Sequence, residues 1–291
     1  MVVLAFLCSF LITSTVSATE YVLNGASIEQ FKNGIRYDGE GGLIIEIEDD
    51  VTIAGNSNAG IESAAPVTIR SSAGRTLTIV VDSDEEFLYG IGLGSTYQRG
   101  GSNTFGLDGG EVETENADDG VIISGGQVVV NSSGGAARNY GIDSKFGTVK
   151  ISGDAVVFIR EDESGRADNF AYNENVTTIS GGNAMVFASE GGNYILREDA
   201  VLTQNATLLP GGTFEIPAGR TLDISGRAYL AQPAGATLLF GEGYGAFEYA
   251  GSIPESGMVI YAGEAPIQQA AVPVAGLLAG LGAAVLLRRK H

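Results

Sequence analysis

The apolar residues of this chain come in short runs of three to six, separated by polar residues and glycine. Runs such as Val67-Thr68-Ile69, Val121-Ile122-Ile123 and Val156-Val157-Phe158-Ile159 are rich in β-branched and aromatic residues, with Gly, Asn, Ser and Asp between them. This pattern is typical of β-strands joined by tight turns. No apolar spacing of three to four residues persists long enough to favour helices. The central part of the chain is therefore predicted to be all-β.

Two local motifs recur within this β-rich region. The first is Ile-Ser-Gly, with copies around Ile123, Ile151, Ile179 and Ile224 and weaker copies around Ile53 and Ile69. The copies at Ile123, Ile151 and Ile179 follow one another at a constant spacing. The second motif is the segment 139–144, Asn-Tyr-Gly-Ile-Asp-Ser, with looser relatives at 169–172 and 90–93. Such a repeat period indicates a stacked architecture, in which each unit covers the apolar side of its neighbour.

The repeat predicts a right-handed parallel β-helix (a β-solenoid) over residues 19–265. Roughly nine to twelve turns, with strands about 4.8 Å apart, would form a rod on the order of 50 Å long. A β-sandwich is the alternative, because it also has many short strands. Sandwich strands seldom repeat a local motif at a fixed spacing, so the solenoid is favoured.

One short helix is predicted at the N-terminal end of the solenoid. Ser27 and Gln30 have the spacing of a capping box, and Gly34 follows where a helix is expected to end. Ile28 and Phe31 would share one face of this helix. We therefore expect the helix to cover the open first turn and to prevent edge-to-edge association there.

The two ends of the chain are predicted to be targeting segments. Residues 1–18 are apolar and end in Val16-Ser17-Ala18, as a secretory signal peptide does, although no basic residue precedes the apolar run. Residues 266–291 are predicted to be a C-terminal membrane anchor. Their uncharged stretch Ala270 to Leu287 is long enough for a transmembrane helix, and Arg288-Arg289-Lys290 would remain on the cytoplasmic side.

Charge and composition narrow the functional classes. The chain has 291 residues with 35 acidic and 16 basic side chains, and the part between the predicted ends holds all the acidic ones and 13 of the basic ones, a net charge of −22. Such a surface argues against a nucleic-acid partner. Cys8 and His291 are the only residues of their types and lie in the targeting ends. The sequence therefore predicts no catalytic, cofactor-binding or metal-ligating residue and favours a protein that is not an enzyme.

Acidic clusters are the most concentrated functional groups. They occur at 82–86, 118–119 and 161–163. Their oxygens suit calcium, but none has the spacing of a twelve-residue calcium loop, so solvated loops are favoured. Glycosylation sequons begin at Asn131, Asn175 and Asn205.

Aromatic residues leave an enzymatic alternative open. Paired carboxylates beside aromatic side chains would suit a polysaccharide-cleaving enzyme. The candidate aromatics are Tyr89, Tyr97, Phe105, Tyr140, Phe170 and Tyr172. A ladder of Tyr140 and Phe170 on successive turns is interpreted as core packing rather than as a sugar platform.

The C-terminal tail resembles a known class of sorting signal. Its sequence Val272-Pro273-Val274-Ala275-Gly276, with the Gly/Leu-rich span and the basic end, resembles the VPxxA-like variants of PEP-CTERM tails. Val274 and Ala275 depart from the usual Glu-Pro or Leu-Pro. The resemblance implies export and handling by an exosortase-type sorting or processing enzyme in Gram-negative, polysaccharide-producing bacteria.

The repeat region resembles the parallel β-helix ectodomains of bacterial surface proteins that are described as adhesin-like or carbohydrate-binding. The resemblance rests on the two motifs and implies no functional residue. It implies an exported, non-catalytic adhesin, glycan-binding protein or envelope or matrix component at the cell surface, with surface or matrix glycans as partners. The alternative is an extracellular polysaccharide lyase or glycoside hydrolase on the same fold.

Overall fold

The protein consists of two β-solenoid lobes that share one sheet. A computed structural model describes residues 17–39, 41–55, 59–83, 87–93, 120–133, 138–144, 148–160, 169–172, 177–179, 183–224, 228–249 and 259–261. The first lobe comprises the described residues between 19 and 190, and the second comprises those between 193 and 261. Every strand pairing among the described residues is parallel except one, which lies where the two lobes join. This parallel stacking confirms the solenoid and excludes the β-sandwich, whereas the right-handed sense of the coil stays a prediction.

The first lobe has about six turns, which comprise three elements each until the last. The first three turns are β1 (Thr19–Leu23), α1 (Ile28–Phe31) and β2 (Ile35–Tyr37); β3 (Leu43–Ile47), β4 (Val51–Ala54) and β5 (Ala59–Ser63); β6 (Val67–Arg70), β7 (Thr76–Asp82) and β8 (Phe87–Leu93). The next three turns are β9 (Val121–Ile123), β10 (Gln127–Ser133) and β11 (Arg138–Ser144); β12 (Val149–Ile151), β13 (Val156–Arg160) and β14 (Asn169–Tyr172); β15 (Thr177–Ile179) and β16 (Met185–Glu190).

The strands of the first lobe stack into three parallel sheets. Sheet 1 has the order β1-β3-β6-β9-β12-β15, sheet 2 begins β4-β7-β10-β13-β16, and sheet 3 has the order β2-β5-β8-β11-β14. Side chains alternate along most strands of sheet 1, so that β3 buries Leu43, Ile45 and Ile47 and leaves the positions between them half-exposed. Rows of buried Ile, Val and Leu from the three sheets form one continuous core.

The two sequence motifs mark equivalent positions in successive turns. Ile123, Ile151 and Ile179 are register partners in sheet 1, and Ile69 joins the same row. In sheet 3, Tyr140 pairs with Tyr89 and with Phe170, which aligns all three copies of the second motif. The repeat unit found in the sequence is therefore confirmed as one turn of the coil.

Two of the proposed copies occupy other places. Ile53 pairs with Ile79 in sheet 2, and Ile224 pairs with Leu202 and Tyr249 in the second lobe. Both isoleucines lie in strands that are not in register with the row of Ile69, Ile123, Ile151 and Ile179. A short apolar step before a corner is common to any solenoid strand, so the motif alone does not identify the sheet.

Glycine allows the corners and the close internal contacts of the repeat. Gly126 and Gly153 have φ values of 78° and 66°, in the left-handed region, at the corners after β9 and β12. Within the second motif, Gly90 has a different role, because a Cβ there would overlap Val130 Cγ1 inside the core. Backbone from sheet 3 thus approaches sheet 2 where a side chain would not fit.

The predicted helix forms and occupies the position that a strand of sheet 2 takes in every later turn. Lys32 O, just after α1, accepts a hydrogen bond from Ala54 N at the end of β4 (2.9 Å). Phe31 is buried in the core of the first lobe, which we call the first core, and Ile28 packs against this core, as expected. The capping box does not form: Asn24 Oδ1 instead accepts hydrogen bonds from the backbone N–H groups of Ala26 and Ser27.

The second lobe reverses the direction of the chain and adds three shorter turns. They are β17 (Asn193–Leu196), β18 (Ala200–Leu202) and β19 (Ala206–Thr207); β20 (Thr213–Glu215), β21 (Thr221–Ile224) and β22 (Leu230–Gln232); β23 (Thr237–Leu239), β24 (Ala246–Tyr249) and β25 (Val259–Tyr261). A tight turn at Gly191 and Gly192, both with positive φ, makes β17 antiparallel to β16. Sheet 2 therefore continues as β17-β20-β23, while β18-β21-β24 and β19-β22-β25 form sheets 4 and 5.

The second lobe lies against the outer face of sheet 2 and takes part of its core from that face. Val128 and Val130 face the first core, whereas Val129 between them belongs to the second. Phe158 and Phe187 likewise face the second core, where the Phe158 ring centroid lies 5.6 Å from that of Phe214. The turns that the structure describes therefore form two docked stacks rather than the single rod that we expected.

The predicted terminal segments lie almost wholly outside the described residues. The described part of the chain begins at residue 17, and 262–291 do not belong to it. Within the described part, no helix has the length and apolar character needed to cross a membrane. The signal peptide and the membrane anchor stay predictions.

Candidate functional site

A polar cleft of about 600 Å³ lies where the second lobe meets the first. Its first wall is built from the corners that connect sheet 1 to sheet 2 in successive turns, and its second wall from the segments before β19 and β22. Corners of parallel strands carry polar side chains because their backbone leaves the sheet and meets water. Docking of the second lobe turns this row of corners into one side of a concave site.

The first wall is held by hydrogen bonds within the loop 71–76 and between this loop and the preceding turn. Ser71 is buried and its Oγ donates to Ile47 O (2.6 Å) and accepts from Arg75 N (3.0 Å). Asp50 Oδ1 accepts from Thr76 N in the next turn (2.9 Å). The segment 71–76 is therefore fixed at both ends, and the side chains that it presents have a defined place.

Two glutamines attach the second wall to the first. The amide of Gln127 pairs with the backbone of Thr207, because Nε2 donates to Thr207 O (3.1 Å) and Oε1 accepts from Thr207 N (2.9 Å). Gln204 Nε2 donates in the opposite direction, to Gly126 O (3.2 Å) and to Asp154 O. Each lobe thus supplies one amide to the backbone of the other, which sets the width of the cleft.

The remaining polar side chains of the cleft are available to a ligand. Arg75, Asp154 and Asn205 are exposed, and within the described part of the chain their side chains form neither a hydrogen bond nor an ion pair. By contrast, Arg70 pairs with Glu46 (2.8 Å) and with Glu20 (3.1 Å) on the outer face of sheet 1. The half-buried Tyr229 adds an aromatic ring to the second wall. A ligand there would meet charged groups, an amide, hydroxyls and one ring.

The carboxylates of the cleft are far apart along the rod. Asp50 precedes β4 and Asp154 precedes β13, and β7 and β10 lie between these strands in sheet 2. Three strand spacings separate the two turns by about 14 Å. Glycoside hydrolases place their two carboxyl groups about 5 to 9.5 Å apart. The backbone of this cleft does not hold Asp50 and Asp154 at that separation.

A second group of interest lies on sheet 3. Glu62 on β5 has a side chain that is 2% exposed, and Arg36 Nε is 4.0 Å from Glu62 Oε2. Neither carboxylate oxygen has a hydrogen-bond partner within the described residues. Burial raises the pKa of Glu62 to about 8, although the charge of Arg36 acts in the other direction. This shift favours the protonated form of Glu62 at neutral pH in the folded protein.

Glu62 and Asp143 lie on strands of sheet 3 that are not adjacent. Glu62 is the register partner of Gly92, which in turn is the register partner of Asp143. The backbones of Glu62 and Asp143 are thus two strand spacings apart, about 10 Å. Since the Glu62 carboxyl is almost completely buried, it has no access to a polymeric substrate in this structure.

The aromatic residues singled out in the sequence are only partly brought together. The rings of Tyr89 and Tyr140 are stacked, with centroids 5.7 Å apart and planes at 4°. Tyr89 is fully buried and packs with Ala59 and with the half-buried Tyr140, whereas core packing of a Tyr140–Phe170 ladder stays a prediction. Phe170 and Tyr172 continue the backbone register of this ladder, whereas Tyr97 and Phe105 lie outside the described residues.

The other sequence candidates lie away from the cleft or outside the described residues, with one exception. Of the acidic clusters, only residues 82–83 are described. Within the described ranges, no group of three or more His, Cys, Asp or Glu side chains is arranged to hold a metal ion. Among the sequons, Asn131 lies within β10, Asn175 is not described, and Asn205 lines the cleft.

Sequence reasoning did not identify the cleft. Asp50, Arg75, Asp154 and Tyr229 come from four turns of two lobes, and each is an ordinary corner residue by itself. A signal was nevertheless present in β10 and β13. Val128 to Val130 and Val156 to Ile159 are apolar at consecutive positions, which indicates a strand buried on both faces and therefore a second layer above sheet 2.

No protein-family model matches the chain, and no curated protein and no solved structure shows significant similarity to it.

Proposed function

We propose that this protein is an exported β-solenoid of the cell surface that binds glycans in the cleft between its lobes and does not cleave them. The observation that carries the proposal is the cleft itself, which presents Arg75, Asp154, Asn205 and Tyr229 in a fixed frame. Glycans are recognised by such sets, because charged and amide groups bond their hydroxyls and an aromatic ring packs on their C–H face. A cleft of about 600 Å³ is also within the usual size of a ligand site.

Binding is favoured over hydrolysis by the placement of the acids. Asp50 and Asp154 are too widely separated along sheet 2 for paired acid–base chemistry. Glu62, whose raised pKa would suit a general acid, lies on a different sheet and is buried. Both observations support a non-catalytic adhesin or matrix protein over the polysaccharide-active alternative.

The proposal also includes export by residues 1–18 and attachment by residues 266–291, with an exosortase-type enzyme as a processing partner. It rests on the apolar leader, the uncharged stretch with its basic end and the resemblance of the tail to sorting signals. Removal of Ala270 to His291 should release the protein into the medium, measured by immunoblotting of cell and medium fractions. Retention of the truncated form on cells would contradict attachment by this tail.

A glycan array with the purified protein tests the binding proposal. We expect binding to a restricted set of oligosaccharides and a loss of at least tenfold in affinity for Asn205→Ala, since this side chain lines the cleft. Glu248→Gln is the matched surface control, because Glu248 is exposed on β24 outside the cleft. Equal losses in both variants, or binding to none of the glycans, would contradict the proposal. Release of new reducing ends from a bound glycan would instead favour the enzyme.

A further inference from the structure

The charged groups of the cleft are arranged along the axis of the first lobe. Val51 of β4 pairs with Leu77 of β7, and Gln127 of β10 pairs with Thr76 of β7 and with Val156 of β13. The corners before these four strands therefore follow one another at single strand spacings. The wall that they form is about 14 Å long, which is close to the length of a trisaccharide.

Along this wall the charges alternate in a defined order. Asp50 comes from the second turn, Arg75 from the third and Asp154 from the fifth. The fourth turn presents Gln127 instead, whose amide is already used by Thr207. A ligand that extends along the wall would thus meet a carboxylate, a guanidinium and a second carboxylate in succession.

The balance of charge disfavours acidic ligands. The cleft has two carboxylates and one guanidinium, and the chain as a whole has a net charge of −19. Placing a further carboxylate or sulfate between Asp50 and Asp154 brings like charges together in a concave site, which is costly. Hydroxyls avoid this cost, because each one can donate to a carboxylate and accept from Arg75.

We infer, on the basis of the proposed glycan-binding function, that the ligand is an uncharged glycan segment of about three sugar units that lies parallel to the axis of the first lobe. Asp50 and Asp154 accept hydroxyl protons at its two ends, and Arg75 donates to oxygens of its central part. The ring of Tyr229 and the amide of Asn205 contact it from the second lobe. Uronate-containing and sulfated chains bind more weakly, because the two carboxylates repel their negative charges.

Titration calorimetry with defined oligosaccharides tests this inference on the full-length protein. The uncharged probes are cellotriose, chitotriose and mannotriose, each with its disaccharide and its tetrasaccharide, and the acidic probe is trigalacturonate. For at least one uncharged series we expect affinity to rise at least tenfold from disaccharide to trisaccharide and to change less than threefold beyond it. Trigalacturonate should bind at least tenfold more weakly than the best uncharged trisaccharide.

Variants of the cleft assign the roles of the charged groups. Arg75→Gln should weaken the best uncharged trisaccharide about tenfold. Asp154→Asn should improve trigalacturonate binding severalfold, because it removes the repulsion and keeps the shape of the side chain. Glu248→Gln, which also removes one exposed carboxylate, should leave both affinities within twofold. If Glu248→Gln raised the affinity for trigalacturonate as much as Asp154→Asn does, the effect would come from the net charge of the protein. That result would overturn the role assigned to Asp154.

The outcomes separate this inference from the proposed function. If trigalacturonate binds as tightly as the uncharged trisaccharides, or if disaccharides bind as tightly as trisaccharides, the inference is wrong while glycan binding stands. If no probe and no glycan of the array binds, both are wrong.

Discussion

The two lobes are built from the same kind of strand but differ in how each obtains its core. The first lobe encloses rows of Ile, Val and Leu contributed by its own three sheets. The second lobe lacks one such wall and uses the outer face of β10, β13 and β16 in its place, through Val129, Phe158 and Phe187. The first lobe therefore has a complete core of its own, whereas the core of the second depends on the first.

The lobes also differ in regularity. In sheet 1 the later turns have a constant length, so identical positions carry isoleucine turn after turn. In the second lobe, Phe214 is the register partner of both Tyr194 and Leu238, and the chain segment from Tyr194 to Phe214 is shorter than that from Phe214 to Leu238. Turns that stack only on other turns, as in the first lobe, can keep one repeat length. Turns that must also fit the surface of another lobe, as in the second, have unequal lengths.

The largest expected effect on the difference between the lobes comes from removing the ring of Phe158, which contacts both of them. Phe158 is fully buried, with its centroid 6.0 Å from that of Phe187 and 5.6 Å from that of Phe214. We expect Phe158→Ala to cost about 3 to 5 kcal/mol in the free energy of unfolding, because a large cavity opens between the lobes. Hydrogen exchange should accelerate far more in residues 200–249 than in residues 43–83.

Ile159→Val is the matched control for this variant, since Ile159 is adjacent on β13 and faces the first core. It should cost about 0.5 to 1.5 kcal/mol without selective loosening of the second lobe. Equal acceleration of exchange in both lobes of Phe158→Ala would show that the lobes unfold as one unit and that the asymmetry is not energetic.

A pH titration should affect the first lobe in particular. The pKa of Glu62 is raised by burial to about 8 in the folded state, so the folded protein holds a proton that the unfolded chain releases at lower pH. The stabilising effect of this proton is complete below about pH 4.5 and is lost as the pH rises from there to about 8. We expect a loss of roughly 2 to 3 kcal/mol across this range, because rearrangement around the new charge recovers part of the full cost.

Denaturant unfolding at a series of pH values measures this loss. Glu62→Gln should flatten the dependence between about pH 4.5 and 8, since the amide cannot ionise. Glu248→Gln, at an exposed site, should keep the slope of the unmodified protein. An unchanged slope in Glu62→Gln would mean that other groups control the pH dependence.

The smallest expected effect concerns the hydrogen bonds that join the two lobes. Gln127→Ala removes both hydrogen bonds to the part-buried backbone of Thr207, and we expect a cost of about 1 to 3 kcal/mol in the free energy of unfolding, since two hydrogen bonds are lost. Exchange should increase locally around 203–207, and glycan affinity should fall because the cleft loses its fixed width. Gln30→Ala on the exposed side of α1 is the control. A loss of stability without a local increase in hydrogen exchange would contradict the conclusion that Gln127 holds residues 203–207 against the first lobe.

The sequence predicted the first lobe better than the second because only the first is a regular stack of equal turns. Where turns stack on equal turns, the same residue type returns at a fixed spacing, and Ile123, Ile151 and Ile179 are sufficient to define the register. The reversal at Gly191 and Gly192 has no such signature, because paired glycines occur at several other places in the sequence. Ile224 resembles the repeat locally and yet belongs to a sheet that the first lobe does not contain.

The cleft could not be predicted, because it exists only through docking. Arg75 and Asn205 are distant in sequence and come from different lobes. Their proximity depends on which face of sheet 2 is covered and on the position at which Gln127 meets Thr207. Local sequence patterns indicate strands and buried faces. The way in which the two lobes dock depends on long-range contacts, which produce no repeating pattern in the sequence.

The fold-back at Gly191 and Gly192 has a consequence for how this chain can change in length. Duplication or loss of a whole turn is the simplest event in a repetitive gene, and before the second turn it would only lengthen or shorten the free part of the first stack. The same event between the fourth turn and β16 would displace the second lobe by one strand spacing and separate Gln127 from Thr207. Copy number is therefore free at one end of the first lobe and constrained at the other, so we expect natural length variants to differ on the side nearest α1.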